Sequence, residues 1–145
     1  LVALGSYDYF EHQADMGIVG RGPTVEEAFA QAARALFDLM MDIERVRPLR
    51  KVSIRCQAHD RDELLVEWLN GLLAEADIRQ LGFGKFHVEM LGRNELEGSA
   101  WGEPFDSRRH HPKTEVKAAT YSMLFVGREG DEDEDEYVAR CVVDL

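Results

Sequence analysis

The chain has 145 residues, 45% of them hydrophobic, which suffices for one domain (1–145) with a packed core. Its 17 basic and 28 acidic residues leave a net charge of −11. That weighs against gripping nucleic acid through a broad basic face, leaves room for a local basic patch, and favours a cation or a basic protein as partner. No apolar run reaches the roughly 18 residues of a membrane span, and Leu1 to Ser6 carries no basic leader region, so the expectation is a cytoplasmic protein without anchor or signal peptide.

In chain order, "YDYFEH" (7–12) alternates aromatic and polar residues as a half-buried strand does, and "ADMGIVGRG" (14–22) holds a second short strand and a turn. "TVEEAFAQAARALFDLMMDI" (24–43) is the clearest helix, with Thr24 as cap, Glu27 completing a capping box, and a broad apolar face from Val25 to Met40. Alternation over 46–59 predicts a strand, with Pro48 near its start. "DRDELLVEWLNGLLAEAD" (60–77) predicts a second helix capped by Asp60 or Asp62, its core stripe running from Leu64 through Trp68 to Leu73. Strands are expected over 83–92, 95–103, 115–127 and 135–144, the last two joined by an acidic, solvated hairpin loop that lacks the spacing of a calcium loop. Runs of strands with two segregated helices predict an α+β domain: a mixed or antiparallel sheet packed on one face by two helices. Cys56 and Cys141 sit in strand-like runs without metal spacing and are expected as buried free thiols.

Two stretches carry titratable clusters. In "EHQAD" (11–15), Glu11, His12 and Asp15 suit a metal site or an acid–base pair, or simply a polar strand end with Asp15 in an Asx-turn. In "GEPFDSRRHHPKTEVKAATYSML" (102–124) lies the one basic cluster, Arg108, Arg109, His110, His111, Lys113 and Lys117 among Glu103, Asp106 and Glu115. It reads either as an anion or acidic-partner patch or as an exposed loop before a strand. Adjacent histidines on an extended backbone diverge, so "HH" is no chelating pair. There is no phosphate loop, since "GIVGRG" lacks the Lys-Ser/Thr of a Walker motif. Neither a nucleophile elbow nor HExxH is present, and "GFGKF" (82–86) reads as a strand opening rather than an RNA-binding motif.

"EHQAD" with "MGIVGRG", "LFDLMMD", "LLVEWLNGLL", "GEPFDSRRH", "EVKAATY" and the final "VVDL" (142–145) occur in an order that resembles the archease family across nearly the whole chain. The chain departs from it with Gln13 where the family has Thr, Ser122 where it has His, and an expanded acidic hairpin. The resemblance implies a divalent cation, calcium, held by Asp15, Asp144 and Leu145, the last through a main-chain or terminal oxygen, with His12 either supporting Asp15 or purely structural. Hard cations want several oxygens, and two Asp side chains beside a chain terminus repel unless a cation lies between them. The resemblance further implies an accessory role rather than catalysis. Archeases help RtcB-type RNA-splicing ligases, promoting guanylylation of the ligase histidine and multiple turnover in tRNA splicing and RNA repair, while the ligase itself uses GTP and a divalent metal. In that reading the Asp15–Asp144–Leu145 tip docks at the ligase's metal and nucleotide site. Arg109, His110, Lys113 and Lys117 then meet a phosphate or an acidic surface, with no strong direct nucleic-acid binding. Two alternatives are a chaperone for tRNA-modifying enzymes such as methyltransferases and a small metal-dependent hydrolase built on Glu11, His12 and Asp15.

Overall fold

The computed structural model describes residues 5–12, 15–129 and 136–145, with only the backbone of residues 11 and 12. Strands β1 (Ser6–His12) and β2 (Asp15–Gly22) precede helix α1 (Val25–Met40) and a 3-10 turn at Ile43–Arg45. Then come β3 (Arg50–Gln57), helix α2 (Arg61–Arg79), β4 (Leu81–Met90), β5 (Glu95–Pro104) and a four-residue helix α3 (Ser107–His110). Two short strands, β6 (Ala118–Ala119) and β7 (Phe125–Arg128), lead to β8 (Tyr137–Asp144).

The α+β class and the two long helices are as expected, and every strand pair is antiparallel. The strands divide into two sheets rather than one. A larger sheet runs β1-β2-β8-β6, with β7 also on β8, and a smaller one runs β3-β5-β4. Each long helix touches both sheets: α1 meets β1, β2 and β8 on one side and β4 on the other, and α2 meets all three strands of the small sheet together with β6, β7 and β8. That placement explains why α1 is buried nearly all round, from Ala28 through Phe37, where its pattern promised only a broad face. Alanines suit a helix that a strand backbone approaches closely. At Gly20 in β2 an added Cβ would stand 2.2 Å from the Ala28 carbonyl oxygen and 2.3 Å from the Ala32 nitrogen, so helix backbone lies directly on strand backbone there.

Caps fix both helix starts. Thr24 Oγ1 accepts the Glu27 N–H at 3.1 Å and Asp60 Oδ1 accepts the Glu63 N–H at 2.9 Å. Asp62, the other cap candidate, instead accepts the Val126 N–H at 3.0 Å and so ties β7 to the start of α2. Asp60→Ala is expected to cost about 1 kcal/mol, read as a Tm lower by about 3 °C.

The expected strand over 115–127 is not continuous. The N–H groups of Lys113 and Thr114 donate to the carbonyls of Met40 and Leu39 at 2.8 and 3.0 Å. A helix leaves its last carbonyls without partners, and this extended segment satisfies them as a strap across the end of α1, which keeps it out of the sheet until Ala118. Downstream the chain turns again at Met123, whose φ is 52°.

Trp68, fully buried, donates its indole N–H to the Phe29 carbonyl at 3.1 Å and rests its ring on Gly98 of β5, locking both helices and the small sheet into one core. Cys56 and Cys141 are buried and free, and burial pushes their thiols up to about 11 and about 12. Among the described residues no helix is long and apolar enough to cross a membrane.

Candidate functional site

The end of the larger sheet gathers the residues of the two stretches that close the fold. β1 and β2 form a hairpin in which His12 stands opposite Asp15. β2 pairs with β8 in a register that sets Met16 opposite Val143, so the next step sets Asp15 opposite Asp144. On its other edge Asp144 faces Ala118 of β6. Asp15, Asp144 and Ala118 thus share one rung that the backbone of His12 continues on β1, and Asp15 and Asp144, directly opposed, project from the same face of the sheet. The Lys117 N–H donates to the Asp144 carbonyl at 2.8 Å, while Thr120 donates its N–H and hydroxyl to the Val142 carbonyl at 3.0 and 2.8 Å. Val142 in turn donates to the Ser122 carbonyl at 3.0 Å. These bonds hold one edge of β8 up to Asp144 while the β2 ladder holds the other up to Val143; the Asp144 side chain is exposed, and Asp15 and Leu145 are half-buried. The His12 side chain, the loop residue Gln13 and most of the acidic hairpin lie outside the described residues.

Two carboxylates opposed on neighbouring strands repel, and the rung supplies no basic side chain between them among the described residues. Their oxygens fit a hard divalent cation, with Leu145 one residue further on as a third source of oxygen. Among the described residues no three His, Cys, Asp or Glu side chains converge on one point. Asp15, Asp144 and Leu145 by themselves offer fewer than the six to eight oxygens that calcium takes.

The basic candidates are placed differently. His110 is fully buried, so it faces no ligand. Its Nδ1 accepts the Asp106 N–H at 3.0 Å, which puts the ring hydrogen on Nε2, 3.0 Å from Glu103 Oε2. Glu103, itself only 4% exposed at the side chain, also accepts the Arg47 backbone N–H at 2.9 Å and the Arg47 guanidinium at 3.0 Å from Nε. Burial alone would raise the Glu103 carboxyl; the hydrogen bonds from Arg47 and His110 outweigh it and hold the group down at about 2. Arg109 lies 4.0 Å from the same carboxylate. Lys113 donates to the Asp38 carbonyl at 3.1 Å and pairs with its carboxylate at 3.5 Å, which occupies it at the strap. Of the four, only Lys117 adjoins the rung, opposite Leu145 in the continued β6–β8 register. Sequence reading places Glu103 in this cluster but gives it no role. A lone acid inside the apolar run "SAWGEPF" of a strand was its signal.

Fold and rung together define a small α+β protein whose larger sheet ends in an opposed carboxylate pair. The archease protein family (MTH1598/TM1083) matches residues 7–145. The archease of Pyrococcus furiosus is 38% identical over 145 residues, covering 98% of this chain and all of that protein, and the archease of Sulfurisphaera tokodaii is 37% identical over 143 residues, again covering 98% and 100%. The solution structure of Methanobacterium thermoautotrophicum protein 1598 superposes with a TM-score of 0.73 at 31% identity, covering 97% of this chain and 99% of that one. The chain belongs to the archease family.

Proposed function

We propose that this protein is a cytoplasmic accessory factor of an RtcB-type RNA-splicing ligase, promoting guanylylation of the ligase histidine and multiple turnover, with the Asp15–Asp144 rung as its working element. The observation that carries the reading is the opposition of two carboxylates, on a strand end pinned from both edges, in a chain of the archease family. The protein's own residues hold and orient: β2 and β8 fix the two carboxylates, the Lys117 N–H fixes the Asp144 backbone, and the exposed Asp144 side chain is free to meet a partner. Asp15, Asp144 and Leu145 would hold a divalent cation such as calcium, which supplies positive charge and open coordination positions for phosphate oxygens. His12, opposite Asp15 in register, is its neighbour for support. The ligase carries the covalent chemistry.

The test is multiple-turnover RNA ligation by the cognate ligase with wild type, Asp15→Ala and Asp144→Ala. Wild type is expected to stimulate turnover, and each variant to lose about tenfold or more of that stimulation, as removal of a metal-site group does. Thermal melts should stay within a few degrees, because the Asp144 backbone bond to Lys117 survives the change. Calcium should raise the Tm of wild type and not of Asp144→Ala. Stimulation that survives both substitutions rejects the rung as the working element. Suppressed aggregation of a tRNA methyltransferase, independent of Asp144, would favour the chaperone role instead.

A further inference from the structure

The outer face of the small sheet carries a second constellation, on a different sheet from the carboxylate rung. Lys51 of β3, Trp101 of β5 and Lys85 of β4 stand side by side on one rung. Both ammonium groups lie over the same indole, 5.6 Å and 4.9 Å from its ring centroid. The next rung on this face is Ser53, Ser99 and His87, and neither of these two rungs carries a carboxylate; Glu97 and Glu89 follow beside Arg55 in one direction, and Glu103, buried and paired with Arg47 and His110, lies two residues from Trp101 in the other. Lys51 and Lys85 are exposed and Trp101 is partly so. Neither lysine has a carboxylate within ion-pair distance among the described residues. The Leu49 N–H bond to the Gly102 carbonyl brings the basic run "RVRPLRK" (45–51) to the same end of the sheet, with Arg50 exposed beside it.

Two like charges drawn to one ring repel each other, and attraction to the ring face only partly offsets that. In a chain with 28 acidic residues, cations left without a counter-charge create a local positive potential. At ordinary ionic strength charges beyond about 10 Å are screened, so this face answers to its own residues rather than to the net charge of the chain.

We infer that this face is a contact site for single-stranded nucleic acid. A base stacks on the Trp101 indole, Lys51 and Lys85 turn from the ring to the flanking phosphates, and Ser53 and His87 offer hydrogen bonds on the next rung. An aromatic ring between two cations is the arrangement by which single strands are held without sequence preference. An acidic peptide would use the lysines and leave the indole idle. Three strands about 4.8 Å apart give a platform about 10 Å wide, the scale of a single base between its phosphates, and too flat to enter a duplex groove.

Fluorescence anisotropy of a labelled oligouridylate of about ten nucleotides, titrated with the full chain at about 50 mM salt, tests this. Binding is expected, with quenching of tryptophan emission; Trp68 is fully buried, so the quench reports Trp101. Trp101→Ala, and Lys51→Glu with Lys85→Glu, should each weaken binding about tenfold or more, with Trp101→Phe retaining most of it. Asp144→Ala should bind as wild type, which separates this site from the carboxylate rung. Thermal melts confirm that each variant is folded. No binding, equal binding by a folded Trp101→Ala, or equal competition by polyglutamate would each overturn the inference.

Discussion

Gly20→Val is expected to abolish the cooperative fold. Gly20 carries no unusual backbone angle; what it supplies is room. Any Cβ there would lie 2.2 Å and 2.3 Å from main-chain atoms of α1, and main chain cannot rotate aside as a side-chain tip does. Relief requires lifting α1 off β2, and α1 is the helix around which both sheets pack. The cost should be about 4 kcal/mol or more, above ordinary overpacking because backbone is the obstacle. Gly20→Ala should already be severe. Gly92→Ala is the control, since nothing lies within 4 Å of a Cβ at that turn. Urea unfolding followed by circular dichroism distinguishes the three; an unperturbed midpoint for Gly20→Ala would mean that α1 does not sit on β2 as described.

The second large effect centres on Glu103. Glu103→Ala leaves the His110 Nε2 hydrogen and the Arg47 backbone N–H without their acceptor in a covered site, and should cost about 3 kcal/mol. The same group makes stability depend on pH. In the folded chain the carboxylate stays ionised down to about 2, whereas its ordinary value is 4.5. Between those values the unfolded chain binds the proton and the folded chain does not, so stability is fully present above about 4.5 and is lost as pH falls toward 2. A Tm–pH profile should therefore show an acid limb in that window. Glu103→Gln should flatten that limb, keeping the shape of the side chain while removing the titration. A limb of unchanged steepness in Glu103→Gln would assign the acid loss to other carboxylates.

Local signals were the most legible. Thr24 and Asp60 announce helix starts because a cap is a contact between residues three apart, and the alternation within 46–59 marks the two faces of β3. The carboxylate rung was legible only through resemblance: nothing in "EHQAD" or "VVDL" alone says that β2 and β8 are neighbours in a register that opposes Asp15 and Asp144. The strand expected over 115–127 starts only at Ala118 and is interrupted before Phe125, because extended backbone alternates the same way whether its N–H groups meet a sheet or, as just upstream at Lys113 and Thr114, the end of a helix. His110 read as part of a basic patch because its burial is set by Glu103 and Arg47, which come from the ends of two different strands and loops. The division into two sheets was not legible either, since α1's alanines gave no sign that the helix would be covered by β2 on one side and β4 on another.

β8 is the last of the strands among the described residues in order of synthesis, yet β2, β6 and β7 all pair with it. While the chain is still on the ribosome, both helices and the small sheet already have their sequence partners, but the β1–β2 hairpin has one edge without a neighbour. Pairing with β8 closes a loop of nearly the whole chain, a slow step by its topology. Until then the apolar Ile18–Val19 stretch beside Gly17 and Gly20 is a sticky edge. A nascent chain stalled just before Tyr137 should thus be the form of this protein that most needs the cell's folding helpers, and a mutation that slows the final pairing would show itself as poor yield before it showed as low stability.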